Sequence, residues 1–238
     1  MVEFFFIELI LYSGLETIAH RISAIYKRIS HSAMRSGRDP LEVKLIAVSK
    51  GIGVEAIKSA IDAGLRVFGE NRVREALEKS QLLAGLKENI EWHMIGHLQR
   101  NKVKTAVRLF ELIHSIDSIS LAEAIDRHSG EIGKLQRVLI EVKLSPEPTK
   151  TGIELDGLDP LIRAIMNMKN IKLEGLMTMP PYSENPEDSR PFYRRLREIA
   201  KGYGLRELSM GMSGDFEIAI EEGSTMVRIG SAIFGERR

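Results

Sequence analysis

Val43-Lys44-Leu45-Ile46-Ala47-Val48-Ser49-Lys50, followed at once by Gly51-Ile52-Gly53, is the stretch from which the fold is read. A Val/Ile/Leu-rich run closed by glycine reads as a strand buried on both faces. A helical period follows over 54–63. The same alternation repeats outward, with apolar or β-branched runs at 66–70, 90–96, 111–116, 137–144, 172–179, 206–212 and 225–230. Helical-period segments separate them at 71–84, 100–109, 119–129, 156–169, 187–201 and 214–222. Ahead of the first strand, Leu15, Ile18, Ile22, Ile25 and Ile29 mark one more helix that ends near Gly37. Strands this brief, joined by helix-sized connections, are parallel. Eight such units predict a single (β/α)8 TIM barrel with an extra N-terminal helix. A doubly wound open sheet is the alternative, since alternation alone does not decide closure. Residues 14–238 read as one domain, with Pro180 to Pro186 as a long loop rather than a boundary.

Residues 1–13 are an apolar extension interrupted by Glu3 and Glu8. A spanning helix needs about 20 apolar residues, and a signal peptide needs a basic start and a small-residue cleavage site. The segment is expected to be an amphipathic turn docked on the body or an extended start of the reading frame. Lys+Arg number 34 against 33 Asp+Glu, a formal charge of +1, which offers no global field for nucleic acid or an anionic membrane. The chain has no cysteine, which excludes disulfides, thiolate metal sites and cysteine nucleophiles and suits a reducing cytoplasm.

In a barrel, functional side chains gather at the C-terminal strand ends. Those ends carry Lys50, Asn71, His93 with Gly96, Ser115 with Asp117, Lys143, Met177 to Met179, Ser213, and Arg228 to Ser231. A lysine ending a buried strand places an amine where burial depresses its pKa, as Schiff-base chemistry requires. The competing reading is a lysine that leaves the sheet for water. Gly211-Met212-Ser213-Gly214-Asp215 and Gly230-Ser231 are small-residue turns whose backbone N–H groups suit phosphate oxygens, or else merely tight turns. Arg228 lies in an otherwise apolar strand and needs a partner, a planar acceptor or a carboxylate such as Glu217. Together these groups suit an aldehyde-bearing phosphorylated cofactor.

Other motifs are weaker. Gly51-Ile52-Gly53 lacks the third glycine of a dinucleotide fingerprint, and no Walker A sequence occurs. His93 and His97 lie in a strand-to-loop segment without the glutamate of a zinc helix, so no metal is expected. The mixed-charge segment carrying Glu70, Arg72, Arg74, Glu75, Glu78 and Lys79 reads as a solvated face. Met166, Met168, Met177 and Met179 read as core filler.

The segments Leu-Ile-Ala-Val-Ser-Lys (45–50), Phe-Gly-Glu-Asn (68–71), Trp-His-Met-Ile-Gly-His-Leu-Gln-Arg-Asn-Lys (92–102) and His-Ser-Ile-Asp (114–117) form a recognisable series. It continues through Thr-Lys-Thr-Gly (149–152), Glu-Gly-Leu-Met (174–177), Leu-Ser-Met-Gly-Met-Ser (208–213) and the run 223–235. Over residues 15 to 236 the chain resembles the pyridoxal 5′-phosphate homeostasis proteins of the YggS/PROSC type, with a barrel like that of the alanine racemase N-terminal domain. The resemblance implies that Lys50 forms the internal aldimine, that Ser213, Gly230 and Ser231 hold the phosphate, and that Arg228 approaches the pyridine nitrogen. It also implies that Asn71, His93 and Met212 line the pocket. A cation at the ring nitrogen disfavours its protonation and makes the ring a poorer electron sink. Lys143 departs from the family pattern, where a small polar residue is expected, and would be a second base or rival anchor if it faced the rim.

The expected role is a monomeric, non-catalytic carrier of pyridoxal 5′-phosphate in vitamin B6 homeostasis that passes the cofactor to apo-enzymes. Barrel-type racemases take a second base from a C-terminal β-domain, for which this chain leaves no room after Arg238. A weak racemase using Lys50 with Lys143, Tyr182 or His93 is the first alternative. A phosphosugar enzyme whose Lys50 attacks a substrate carbonyl is the second.

Overall fold

A computed structural model of the chain describes residues 17–85, 90–147 and 150–235. The expected extension over 1–13 lies outside the described residues. Among the described residues there are eight strands: β1 Lys44–Val48, β2 Val67–Glu70, β3 Glu91–Met94, β4 Leu112–Ile116, β5 Gln136–Glu141, β6 Ile171–Met177, β7 Glu207–Ser209 and β8 Met226–Ile229. They pair in sequence order, all parallel, and β8 returns to β1 with Lys44 opposite Met226 and Ala47 opposite Ile229. The sheet is therefore a closed barrel, which removes the open-sheet alternative.

Around it lie α1 Ile18–Arg35, α2 Val54–Asp62, α3 Val73–Leu82, α4 Val103–Leu109, α5 Ile119–Gly130, α6 Leu155–Met166, α7 Arg190–Gly202, α8 Phe216–Glu221 and the single turn α9 Ser231–Phe234. Thr17 caps α1 by accepting the His20 N–H at 3.2 Å, and Ile22, Ile25 and Ile29 turn its apolar stripe inward. The Arg28 guanidinium fixes the helix over the β8 side, lying 4.6 Å from the centre of the Phe216 ring and bridging Glu217 at 2.9 Å. No helix among the described residues is long and apolar enough to cross a membrane.

Two packed zones follow from the period-2 alternation of side chains along each strand. Outward-facing residues such as Leu45, Ala47, Ile113 and Val138 join the helices in one large core. Ile46, Leu112, Leu139, Met177 and Met226 fill a smaller zone inside the barrel. Each buried side chain of this size contributes about 1.5–3 kcal/mol. Gly175 lets β6 and β7 close together, because a Cβ there would overlap the Glu207 carbonyl. Met177 is core as expected, but Met166, at the end of α6, is 62% exposed and fills nothing.

Candidate functional site

The C-terminal mouth of the barrel opens on a cavity of about 790 Å³. Lys50, Asn71, Met212, Ser213, Arg228, Gly230 and Ser231 all border it. His93, expected beside them, does not. Strand alternation carries Glu91 and His93 into the barrel interior, so His93 sits below the rim, and Ile95 takes the place at the cavity wall. His93 is fully buried and hydrogen-bonds to His114 and Glu91, each at 2.9 Å.

Lys50 stands two residues past β1, on a turn closed by the Ile52 N–H to the Ser49 carbonyl at 2.9 Å. Gly51 has φ +71, the left-handed geometry that glycine adopts freely, and it swings the chain into α2. The turn is clamped from behind. Ser49 Oγ donates to Glu70 Oε1 at 2.7 Å, and the Gly51 N–H donates to Glu75 Oε1 at 2.5 Å. The Lys79 ammonium joins these acceptors, donating to Glu70 at 2.7 Å, to Glu75 at 2.6 Å and to the Ser49 carbonyl at 2.6 Å. Lys79 and Glu70 are buried, so the expectation that α3 presents only a solvated charged face is corrected. Burial pushes the Glu70 carboxyl above the usual range against the hydrogen bonds from Lys79 and Ser49. For Glu75, burial opposes ionisation, but the Lys79 and Gly51 donors outweigh it and hold the carboxyl low.

Arg228 enters from β8 and is buried. Nη1 donates to Ser209 Oγ at 2.7 Å and Nη2 to the Thr178 carbonyl at 3.1 Å. The alternative partner Glu217 is engaged by Arg28 instead. Desolvation presses the Arg228 pKa down, while Tyr193, Glu141 and Asp215 press it up.

The turn after β7 is held by Asp215, which itself borders the cavity. The Met212 N–H donates to Asp215 Oδ1 at 2.7 Å, and Asp215 Oδ2 accepts from Tyr193 at 2.7 Å and Ser189 at 2.9 Å. Gly211 has φ +96, and a Cβ there would come within 2.6 Å of Ala219 Cβ. Gly214 instead has open space beside it. Ser213 Oγ lies 3.3 Å from the Gly230 N–H and 3.4 Å from the Ala232 N–H, so two strand-end turns bring hydroxyls and N–H groups together. Such donors, with a guanidinium and an amine bordering the same cavity, fit a phosphorylated aldehyde.

Gly96, His97, Lys150 and Thr151 also border the cavity. Glu141 Oε1 accepts the Thr151 hydroxyl at 2.7 Å, and burial raises the Glu141 pKa. His97 pairs with Asp117 at 3.2 Å. Ser115 Oγ donates to the Gly96 carbonyl at 2.6 Å, and a Cβ on Gly96 would stand 2.7 Å from Asn71 Cα. Tyr182 lines the mouth but is 87% exposed. Lys143 turns away to Glu154 at 2.8 Å and borders a separate groove, whereas Lys150 borders the cavity. Among the described residues no cluster of His, Asp or Glu has the arrangement of a metal site. Ser209, His114 and Asp215 support the site from within segments already distinctive in sequence, but only spatial pairing reveals their partners.

The sequence matches the alanine racemase N-terminal domain family over residues 15–238. A protein of Aquifex aeolicus named pyridoxal phosphate homeostasis protein is 46% identical over 224 residues, covering 92% of this chain and 97% of that one. Its namesake in Escherichia coli K12 is 41% identical over 234 residues, covering 94% and 98%. Among solved structures, PipY of Synechococcus elongatus with PLP bound superposes with a TM-score of 0.81 at 36% identity, covering 92% of this chain and all of that one. The chain belongs to the alanine racemase N-terminal domain family and, within it, to the pyridoxal phosphate homeostasis proteins.

Proposed function

We propose that this chain binds pyridoxal 5′-phosphate in the cavity, holds it through Lys50, and serves vitamin B6 homeostasis in the cytoplasm as a non-catalytic carrier. The observation that carries the reading is convergence: a strand-end lysine, a small-residue turn and a buried guanidinium border one cavity. The bound cofactor supplies an aldehyde that condenses with an amine, one water leaving, and a ring that can withdraw electrons. Lys50 presents that amine from its clamped turn. The Ser213 and Ser231 hydroxyls and the N–H groups around Gly230 offer donors to the phosphate. Arg228 at the ring nitrogen opposes protonation there, which suits holding the cofactor more than turnover. Asn71 and Met212 wall the ring.

The names of the relatives support this reading, as does the PLP bound in PipY. Two-base racemisation needs an acid and a base on opposite faces of the substrate. Of the three side chains considered for the second base, Lys143 faces Glu154, His93 is enclosed below the rim, and Tyr182 is solvated at the mouth. That distribution favours the carrier. Residues 14–238 then act as one cofactor domain, monomeric, handing the cofactor to apo-enzymes.

The test is the absorption spectrum of the purified protein from about 300 to 500 nm, where lysine-bound cofactor absorbs. A visible band in wild type that borohydride removes and Lys50→Ala lacks is the expected result. A band that survives Lys50→Ala moves the anchor to Lys150. No band after added pyridoxal 5′-phosphate refutes the reading and favours the phosphosugar alternative.

A further inference from the structure

Beneath the cavity floor a file of polar side chains runs through the barrel interior to its far mouth. Arg228 Nη1 reaches Ser209 Oγ at 2.7 Å, and Ser209 Oγ lies 2.9 Å from His114 Nδ1. His114 Nε2 lies 2.9 Å from His93 Nδ1, and His93 Nε2 lies 2.9 Å from Glu91 Oε1. Ser209, His114 and His93 have no solvent exposure. Glu91 begins β3 at the opposite end, beside Lys44 and Arg137, each 3.4 Å from its Oε1.

The two ends determine where every hydrogen sits. A guanidinium only donates, and an ionised carboxylate only accepts. Glu91 is ionised, its pKa lowered to about 2, first by the His93 hydrogen bond and further by Lys44. His93 therefore carries its proton on Nε2, and its Nδ1 accepts. His114 then donates from Nε2 and accepts at Nδ1, where the Ser209 hydroxyl donates, leaving the Ser209 oxygen to accept from Arg228. This requires both rings to be neutral. Burial lowers the His93 pKa against Glu91, with Lys44 and Arg137 adding to the effect. Burial lowers His114 further, and with His93 neutral the charges of Arg228, Lys44 and Arg137 act in the same direction. Every hydrogen in the file then points from Arg228 towards Glu91.

We propose that this file makes Ser209, His114 and His93 positioning residues that couple the charge of Glu91, at the far mouth, to Arg228 and through it to the ring nitrogen of the bound cofactor. The inference rests on the cavity being the cofactor site. Hydrogen bonds aligned head to tail polarise one another, so an anion at one end strengthens the acceptor at the other. Ser209 thereby holds Arg228 in one orientation and offsets part of its positive field. Removing the Glu91 charge leaves more of that field on the bound cofactor, so the proton on the cofactor–lysine linkage is lost at lower pH.

The experiment titrates the visible band against pH in wild type, Glu91→Gln, Ser209→Ala, the Glu91→Gln/Ser209→Ala double variant and Glu174→Gln. Glu174 belongs to the same charge cluster, bridging Arg137 at 2.9 Å and Lys172 at 2.9 Å, but stands outside the file. Glu91→Gln is expected to lower the midpoint by about 0.3 pH unit, a fraction of one charge-assisted hydrogen bond. Glu174→Gln is expected to leave the midpoint unmoved. In the Ser209→Ala background the Glu91→Gln shift is expected to vanish, since the file is already cut. Equal shifts in Glu91→Gln and Glu174→Gln, or no shift in either, overturn the coupling while the cofactor reading stands. Absence of a band in wild type overturns both. Imidazole ¹⁵N spectra of the wild-type chain without cofactor test the file independently: both rings should be neutral and protonated on Nε2 from about pH 6 to 9. An imidazolium or an Nδ1-protonated ring at either position overturns the file whatever the cofactor does.

Discussion

Lys79→Met removes the ammonium at the centre of the clamp behind Lys50 and keeps a stem of similar length. Three hydrogen bonds of 2.6–2.7 Å disappear together, to Ser49, Glu70 and Glu75. Glu75 is partly exposed and recovers some hydration, but Glu70 has no exposure and its Oε2 already lacks a hydrogen-bond partner. Stripping the cation from a buried pair costs about 3–5 kcal/mol, because the remaining charge stays in the dry interior. Glu70 can escape by taking a proton, which places the expected loss near the lower end, about 3 kcal/mol. The sign of the pH dependence follows. The folded Glu70 pKa is raised, so the carboxyl favours folding when protonated and loses that contribution as pH rises from the ordinary glutamate value through the folded one. Without Lys79 the folded pKa rises further, so the gap between variant and wild type should be widest near pH 8 and narrower near about pH 5. Urea unfolding followed by the fluorescence of Trp92, the chain's single tryptophan, measures it. Lys79→Met/Glu70→Gln should recover much of the loss, since no lone charge remains buried. A loss under about 1 kcal/mol, or the same loss at both pH values, would refute the clamp as a buried electrostatic unit.

Gly96→Ala should cost roughly 1–3 kcal/mol and weaken cofactor binding, because the new Cβ would stand 2.7 Å from Asn71 Cα and carbonyl oxygen; a thermal melt and a pyridoxal 5′-phosphate titration on one sample check both effects. Gly214→Ala meets open space and should change cofactor affinity by less than about threefold if backbone N–H groups do the binding. Gly211→Ala, with φ +96 and Ala219 in the way, should lose both stability and affinity under the same titration. On acidification, Glu91 contributes stability above the ordinary glutamate pKa and loses it as pH falls towards about 2. Glu91→Gln should therefore flatten the acid limb of the stability curve, measured as urea midpoints at successive pH values.

The architecture was legible because its signal is local. Each strand is an apolar run closed by a turn residue, each connection carries a 3.6-residue period, and eight such units suggest a barrel, whereas closure itself is settled only by the pairing of β8 with β1. Lys50, Arg228 and the two small-residue turns were legible because they interrupt that pattern at strand ends. What was hidden depends on partners far along the chain. Glu217 looked like a partner for Arg228, yet it pairs with Arg28, 189 residues away. Lys79 sits in a helix whose charge pattern reads as solvated, and only the placement of Glu70 at the end of β2 and Ser49 just past β1 reveals its burial. His93 misled for a different reason. Its position near the end of an apolar run placed it at the rim, but its level relative to the rim is set by strand tilt and register, which no single strand encodes.

Both side chains proposed to hold the cofactor are backed by polar and charged groups that do not border the cavity. Behind Lys50 stands the Glu70–Lys79–Glu75 cluster, and behind Arg228 stands the file that ends at Glu91. Neither is required by the barrel, whose interior is filled elsewhere by Ile46, Leu112, Leu139, Met177 and Met226. Apolar side chains at these positions would satisfy packing without the desolvation cost of buried ions and imidazoles. What apolar filling cannot do is hold an amine-bearing turn and a guanidinium in single orientations while adjusting the field each one meets. Orientation and field are the quantities on which holding an aldehyde depends, because one sets where the amine stands and the other sets how readily the bound ring accepts a proton. On the proposed function, the chemistry of the cavity is thus governed from one layer beneath its walls.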